Sequence, residues 1–465
     1  MQDEKKNLMG SIIEVLCKDR GSTNTKKILQ KIPDKFIEIV GFLIPVFMMS
    51  SLIVEQILRA FFHESIMEQA FFVIGAFAEI FAILYISRSF MVGEKQGIKE
   101  FIKTHIWDIL LVFMLIMATI STFNSEDVHK ALWGVMIRHD GLLAYYIYAS
   151  VYVCVKSVKS ARLRMWLLRA ISILICILSI NTLLQAIPGM LSKLGMVGFN
   201  MCRYAIFSSI YFNINHFEYI LILGLMASGT LVVIENKKIL KFLWLLIFGF
   251  ELWGLIINNT FAGFVAVVIG TVFMAIVMLI NDKKHLISII LVVVTLITVS
   301  VITDYNYYGI LRRNILVSYN DVKTIETNDR GGSGRIGLWK GNIGLIKKKP
   351  LLGYGPEGTY NMYARGETKH ERPHNEYLQH ALYMGIPAGI AYILALFTLF
   401  ITMIKKIKYL PKELIAMGVV VFAYCVSAFF GNTLYNTVPY FFMFLGGISV
   451  CGMIKKEENK SNIEE

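Results

Sequence analysis

Charged residues are scarce in this chain. Asp, Glu, Lys and Arg make up 17% of its 465 residues, whereas soluble domains carry about 25%. Hydrophobic residues make up 56% of the sequence, and the mean hydropathy is +0.59. This composition excludes an ordinary soluble domain and predicts a protein whose solvent is lipid.

Cysteine motifs and a signal peptide are also missing. The six cysteines form no C-x-x-C pair, and at least four lie in apolar runs, where a thiol acts as a small hydrophobic group. The polar, basic N-terminal segment has no apolar core of a cleavable signal, so we expect none. In a membrane protein the net charge of +13 reports loops that face an anionic leaflet more often than a nucleic-acid partner.

Long apolar runs dominate the rest of the chain. A transmembrane helix needs about 20 mostly apolar residues, and the runs predict an all-α polytopic membrane protein with about 12 such helices. Their centres lie near residues 46, 79, 114, 148, 175, 226, 248, 270, 294, 392, 420 and 444. The predicted organisation is an N-terminal segment (1–33), nine spans (34–303), a large extracytoplasmic loop (304–379), three spans (380–454) and a tail (455–465).

The basic residues alternate between loops. Every second short loop is basic, as in the one with Lys237, Lys238 and Lys241. The positive-inside rule then places both termini in the cytoplasm and the large loop outside. From Asp304 to His380 the chain holds twelve basic and eight acidic residues, and a basic outer loop indicates an anionic ligand delivered at the membrane surface.

A dinucleotide-binding pattern lies inside this loop. Gly353, Gly355 and Gly358 spell G-x-G-x-x-G, which in a Rossmann fold follows a strand and opens a helix. Here the run follows "IKKKP", with Pro356 and Glu357 at variable positions. No acidic residue at a plausible strand end follows about twenty residues on. We therefore interpret the run as a tight turn and expect no nicotinamide cofactor.

A helix is predicted just before that turn. Ile336, Trp339, Ile343 and Ile346 recur at spacings of three and four, which places them on one helical face, and Pro350 ends the helix. The helix either lies on the bilayer with its lysines toward phosphates or packs on the rest of its own loop. The pattern leaves both open.

Arg335 and His374 stand at predicted helix starts. Backbone amides at the start of a helix attract anions, as Arg335 also does. We expect Pro373 to open a helix that leads into the next span, with His374, Asn375 and Glu376 in its first turn. A histidine there exchanges protons near neutral pH; a hydrogen-bonded loop histidine is the alternative.

The loop histidines do not form a convincing metal site. Pro373 separates His370 from His374, and no cysteine or repeated Glu-His module completes a zinc set with His380. We predict no metal. The remaining loop arginines are interpreted as solvated or steering charges: Arg330, Arg365 and Arg372.

Several of these segments together resemble a known family. The loop arginine followed by Trp, the "PLLGYG" turn and "PHNEYLQHALYMGIPAG" before a span resemble the C-terminal signature of the O-antigen ligase and O-antigen polymerase superfamily. That resemblance covers about Gly334 to Leu396. The segment "RYAIFSSIYFNINHFEYILIL" is similar to the family's outer segment in which an arginine precedes an Asn-x-Asn pair, so Arg203, Asn213 and Asn215 match it.

One segment departs from the family pattern. Where the family often shows a Ser-Arg-Gly-like run, this chain has Asn259 and Thr260 and no arginine, so no role is carried over to that position.

The resemblance implies a bacterial cytoplasmic-membrane glycosyltransferase. Such an enzyme moves a glycan from an undecaprenyl-pyrophosphate-linked oligosaccharide donor to a glycan or lipid-linked acceptor, without metal or nucleotide. Membrane lipids and other polysaccharide-assembly proteins are the further implied partners. We favour a polymerase of capsule, O-antigen or another surface polysaccharide over a ligase.

Charge on the leaving pyrophosphate directs the choice of site residues. Guanidinium groups stabilise that charge, so Arg335 is the first candidate, Arg203 the second and Lys340 a further pyrophosphate contact. By resemblance His374 is either the base for the acceptor hydroxyl or another phosphate contact. The remaining candidates are Asn213, Asn215 and Asn375.

Carboxylates within the spans leave a second class of function open. Ionisable groups in spans are functional candidates, and Glu55, Glu79 and Glu251 would also suit proton-coupled transport. The alternative is therefore a flippase of lipid-linked oligosaccharides or another polysaccharide transporter. A flippase predicts cations from many spans around a central cavity, whereas a receptor or scaffold would need neither Arg335 nor His374.

Overall fold

The described part of the chain is helical. The computed structural model describes residues 24–62, 64–93, 97–136, 138–186, 190–194, 207–211, 213–323, 334–369 and 371–456, and these contain no strand. The predicted all-α polytopic architecture is confirmed.

The helices follow one another with short connections. In chain order they are α1 (Asn24–Lys31), α2 (Asp34–Phe62), α3 (Met67–Val92), α4 (Ile98–Phe123), α5 (Val128–Trp133), α6 (Leu142–Lys156), α7 (Ala161–Ala186), α8 (Met190–Lys193), α9 (Ile214–Ile234), α10 (Lys238–Ile257), α11 (Phe261–Asn281), α12 (Leu286–Asn306), α13 (Ile310–Lys323), α14 (Arg335–Lys348), α15 (Tyr360–Ala364), α16 (Glu376–Met384), α17 (Ile386–Lys406), α18 (Lys412–Ser427) and α19 (Val438–Ser449). Short 3-10 helices are Lys283–His285, Ala428–Phe430 and Val450–Gly452.

All twelve predicted spans coincide with apolar helices. Within the described residues, ten helices are long and apolar enough to cross a membrane: α2, α3, α4, α7, α9, α10, α11, α12, α17 and α18. The two predicted spans centred near residues 148 and 444 are the shorter apolar helices α6 and α19.

Helix α9 is the centre of the bundle. It packs against α7, α10, α11 and α18, and every residue from His216 to Ile234 is buried. A helix that is apolar all round is suited to such a position. Around it, α4 packs on α17, and α6 packs on α3 and α19. The start of α9 is therefore fixed by neighbours on several sides.

Two of the three span carboxylates have polar partners. Glu55 pairs with Arg59 and accepts hydrogen bonds from Ser65 Oγ (2.7 Å) and the Ile66 amide (2.8 Å), which closes the connection between α2 and α3. Glu251 is buried and accepts a hydrogen bond from Ser228 Oγ at 2.6 Å. Glu79 is only partly buried in α3. The contacts of Glu55 and Glu251 are those of carboxylates that stabilise the fold.

Helix α14 packs against α16. Its buried residues are Asn342, Leu345 and Ile346, whereas Ile343 is exposed, so the buried face shares Ile346 with the predicted apolar face but not Ile343. Tyr354 Oη donates a hydrogen bond to the Leu345 carbonyl at 3.2 Å. Of the two arrangements that the sequence left open, the structure has α14 packed on its own loop.

The glycine run is a turn that docks on the end of α16. Gly353 and Gly355 have φ of +66° and +85°, a region that favours glycine. The amides of Tyr354 and Gly355 donate to the carbonyls of Leu382 (3.0 Å) and Tyr383 (2.9 Å). This confirms the predicted turn.

Gly385 separates α16 from α17. Its φ is +88°, and a Cβ at this position would lie 2.0 Å from the Leu351 carbonyl oxygen. The sequence predicted one helix that leads into the span; the structure has two, because the chain turns here to let the glycine turn approach. The close approach of Leu351 to Gly385 therefore determines where α16 ends.

Candidate functional site

A polar cavity of about 360 Å³ lies at the start of α9, within the range of about 300–1,000 Å³ that is typical of ligand pockets. Its walls come from the first turns of α9 and α14, from the loop before α16 and from the non-helical segment between α18 and α19. Irregular backbone among membrane helices is tolerated where it lines a cavity.

Three helices begin around this cavity. Asn213 caps α9 by accepting from the Asn215 amide at 2.9 Å, and both residues line the cavity. Asn375 caps α16 by accepting from the Leu378 amide at 3.0 Å. Helix α14 contributes Leu338 from its first turn. Helix N-termini carry partial positive charge and free amides, so this arrangement favours an anion.

Arg372 lines the cavity from a buried position. It is 5% exposed and pairs with Glu357; its Nη1 donates to the Thr433 carbonyl at 3.1 Å, and its Nη2 lies 3.5 Å from Asp140 Oδ2. The interpretation of Arg372 as a solvated or steering charge is wrong, because its partners come from segments far away in the sequence. Arg365, by contrast, is an exposed charge paired with Glu126.

Asp140 holds Arg372 as part of a buried hydrogen-bond network. This buried carboxylate accepts hydrogen bonds from Tyr148 Oη (3.1 Å), Gln379 Nε2 (2.9 Å) and Thr433 Oγ1 (2.5 Å). The network joins the start of α6, helix α16 and the segment before α19. Fully paired polar networks of this kind hold their members in one geometry.

Arg138 is a further cavity cation that the sequence analysis did not single out. It pairs with Glu371, and its Nε lies 3.7 Å from Glu357 Oε1. Glu357 Oε2 also accepts from the Val135 amide at 2.8 Å. Glu357, which belongs to the glycine run, therefore holds both Arg138 and Arg372 at the cavity.

Arg335 is not among the described lining residues, but it lies beside them. Its Nε donates to the Phe430 carbonyl at 3.2 Å, and its guanidinium lies 5.9 Å from the centre of the Phe430 ring. Gly431, which follows Phe430 in the chain, lines the cavity. Lys340 is exposed and is not among the described lining residues, since it lies roughly 140° around the helix from Arg335. Arg203 lies outside the described residues.

His374 lines the cavity in a left-handed backbone conformation, with φ of +47°. Strained residues of this kind cluster at functional sites. The predicted helix start was too early: α16 begins at Glu376, Asn375 is its cap, and His374 precedes it. Burial, and then the charges of nearby arginines, lower the pKa of His374 to about 4. Its imidazole is therefore neutral at pH 7 and can accept a proton. The arginines responsible are Arg335, Arg372 and Arg138.

Sequence analysis also missed several uncharged lining residues. Tyr219 follows Asn215 by four residues and His216 by three, which are spacings of neighbours on a helix surface, and all three line the cavity. Asn432 comes from "GNTLYNT", a connection between two apolar runs that contains no charged residue. Polar residues in an uncharged connection between two spans were the available signal.

One known family matches a part of the chain that contributes to this cavity. The model of the O-antigen ligase family matches residues 242–393. This part of the chain is therefore similar to the O-antigen ligase family. The match includes Arg335, Arg372 and His374, and it confirms the resemblance to the O-antigen ligase and polymerase superfamily. The protein is thus a multi-pass membrane protein in which residues 242–393 are similar to a ligase-type enzyme family. Among curated proteins no match was found.

The matched residues do not contain the whole cavity. Arg138 and Asn213 precede the matched residues, and Asn432 follows them. Segments on both sides of the match therefore complete the candidate site.

Proposed function

We propose that this protein is a membrane glycosyltransferase. It transfers or polymerises glycan repeat units from an undecaprenyl-pyrophosphate-linked donor to an acceptor hydroxyl at the outer face of the bacterial cytoplasmic membrane. The observation that carries the proposal is the cavity in which Arg138, Arg372 and His374 meet, with Arg335 beside its lining residues.

The cations serve the leaving group. As the bond between C1 of the donor sugar and the pyrophosphate oxygen breaks, its electron pair stays with the pyrophosphate. Guanidinium forks match phosphate oxygens, and three helix starts add amides and partial positive charge. Because the buried carboxylate of Glu357 holds both Arg372 and Arg138, they keep one geometry before the donor arrives, which favours the transition state.

His374 acts on the acceptor. A neutral imidazole accepts the proton of the acceptor hydroxyl while the acceptor oxygen forms its bond to C1. With its low pKa of about 4, His374 is a weak base in the empty site. A bound diphosphate offsets the charges of the neighbouring arginines and raises that pKa. Of the two roles that the resemblance left open, we propose the base. Asn213 and Asn215 remain proposed substrate contacts.

The source of the cations supports an enzyme over a flippase. Arg138, Lys369 and Arg372 lie on connections, and Arg335 is the first residue of a helix. A transporter cavity would draw its cations from the middle of several spans. We propose that both termini are cytoplasmic and that the loop with His374 lies outside.

Purified full-length protein with an undecaprenyl-pyrophosphate-linked repeat tests the reaction. As a polymerase the protein produces a ladder of lengthened lipid-linked products from the donor alone, with a chelator present and without added nucleotide. A ligase instead releases the carrier only when a lipid A core acceptor is supplied. Absence of product and of released carrier under both conditions would contradict the proposed function.

A further inference from the structure

The cavity has two chemically different sides. Arg138, Lys369, Arg372 and His374 line one of them, whereas the start of α9 and the segment before α19 supply uncharged polar groups. The side chains of the second side, Tyr219 among them, contribute no positive charge for a diphosphate. These groups are therefore available for another part of the ligand.

Tyr219 lines this side and carries a hydroxyl without a hydrogen-bond partner among the described residues. The residue is 2% exposed. Asn432 Oδ1 is likewise buried without a partner in the described part of the chain. Buried polar atoms in native proteins are normally paired, so two orphaned atoms in the lining of one cavity point to a ligand.

The position of Tyr219 Oη is fixed. A Cβ on Gly431 would lie 1.2 Å from this oxygen, so only glycine allows the hydroxyl to lie there. On another side the Tyr219 ring packs against the Tyr424 ring, with 5.2 Å between ring centres. A polar group fixed before binding loses little entropy when the ligand arrives.

We infer that Tyr219 and Asn432 form a subsite for the hydroxyl groups of the sugar that is bonded directly to the donor pyrophosphate. This inference rests on the proposed function. In the donor that sugar adjoins the diphosphate, just as the uncharged side of the cavity adjoins the arginines. A phenol and a carboxamide bind neutral hydroxyls and contribute no positive charge for phosphate. The subsite thus selects the sugar, while the cations bind any polyprenyl pyrophosphate.

The test compares two ligands with purified full-length protein. One is the undecaprenyl-pyrophosphate-linked repeat, and the other is undecaprenyl pyrophosphate without sugar. Tyr219→Phe removes only the hydroxyl and keeps the ring that packs on Tyr424. We expect this variant to bind the sugar-bearing donor about tenfold more weakly and the sugar-free carrier with unchanged affinity. Asn432→Ala gives the same pattern.

Tyr440→Phe is the matched control. Tyr440 is also buried, but its hydroxyl donates to the Met48 carbonyl at 3.0 Å, and it is not among the cavity-lining residues of the described chain. This variant loses a paired hydroxyl, so its unfolding midpoint falls while its donor affinity stays unchanged. Tyr219→Phe loses an unpaired hydroxyl, so its midpoint does not fall.

Three outcomes would overturn the subsite. They are equal weakening of both ligands, no weakening of either, and an effect confined to the acceptor KM. Failure of the proposed function is a separate result: wild-type protein would then bind neither ligand and transfer nothing, whatever the variants do.

Discussion

His374 lies among arginines, and its protonation state determines what it can do. With a pKa of about 4 in the free protein, it is neutral over most of the accessible pH range. Because only the neutral form accepts a proton, we expect kcat/KM to fall as pH drops through about 4. The acid limb of kcat lies at higher pH, since the bound diphosphate raises the pKa of His374 in the complex.

Rate profiles against pH measure both limbs. His374→Gln should lack this limb while it retains a slow residual rate, because no proton acceptor then titrates at that position. Coinciding limbs of kcat and kcat/KM near pH 6.5 would show that the arginines do not act on His374 as described.

Arg372 is expected to matter for stability as well as for the reaction. Arg372→Ala leaves Glu357 and Asp140 buried without their main cation, and removing one member of a buried pair costs about 3–5 kcal/mol. Denaturant unfolding in detergent measures the loss. Arg365→Ala is the control from the same loop, because its ion pairs are exposed; equal losses in the two variants would contradict the buried network.

Among the elements, the glycine turn positions α16. In Gly385→Ala the new Cβ would meet the Leu351 carbonyl at 2.0 Å, so α16 and the adjoining His374 must move. Misplacement by about 1 Å costs on the order of 10² in rate. We expect the transfer rate to fall by about that factor, with a lower unfolding midpoint.

Gly366→Ala is the comparison for that variant. Gly366 also has a positive φ, of +74°, but a Cβ at this position would have no described atom within 4 Å. This variant bears backbone strain without a collision and should keep its transfer rate. Similar rate losses in Gly366→Ala and Gly385→Ala would mean that backbone strain, and not the contact with Leu351, is responsible.

The elements also show what the sequence can and cannot predict. Spans were located correctly because an apolar length of about 20 residues is a local property. The glycine turn was predicted from local turn chemistry. The break between α16 and α17 at Gly385 was not predicted, because it depends on the approach of Leu351. The buried face of α14 was not predicted either, because it depends on the contact with α16.

For the molecule as a whole, the site depends on contacts between distant parts of the chain. Arg372 pairs with Asp140, which is 232 residues away in sequence, so nothing local distinguishes it from the exposed Arg365. Arg335 and His374 were found through family resemblance and helix starts. Arg138, Tyr219 and Asn432 were missed, because only folding brings them to one cavity.

The orientation of the protein in the membrane is a prediction about the whole molecule. A membrane-impermeant maleimide should label Arg365→Cys in intact cells and Lys284→Cys only after permeabilisation, since the basic loops face the cytoplasm. Both positions are exposed. Each variant should be compared with the parent chain, whose own cysteines set the background. The reverse labelling pattern would place the cavity on the cytoplasmic side and contradict the proposed donor.

The most direct measurement is the transfer rate of purified variants with one undecaprenyl-pyrophosphate-linked donor. Arg335→Ala and His374→Ala should each lose on the order of 10²–10³ in kcat, because one stabilises the leaving pyrophosphate and the other accepts the proton. Arg365→Ala, the exposed arginine outside the cavity, should transfer at the wild-type rate. Wild-type rates in both cavity variants would contradict the assignment of the cationic cavity as the catalytic site.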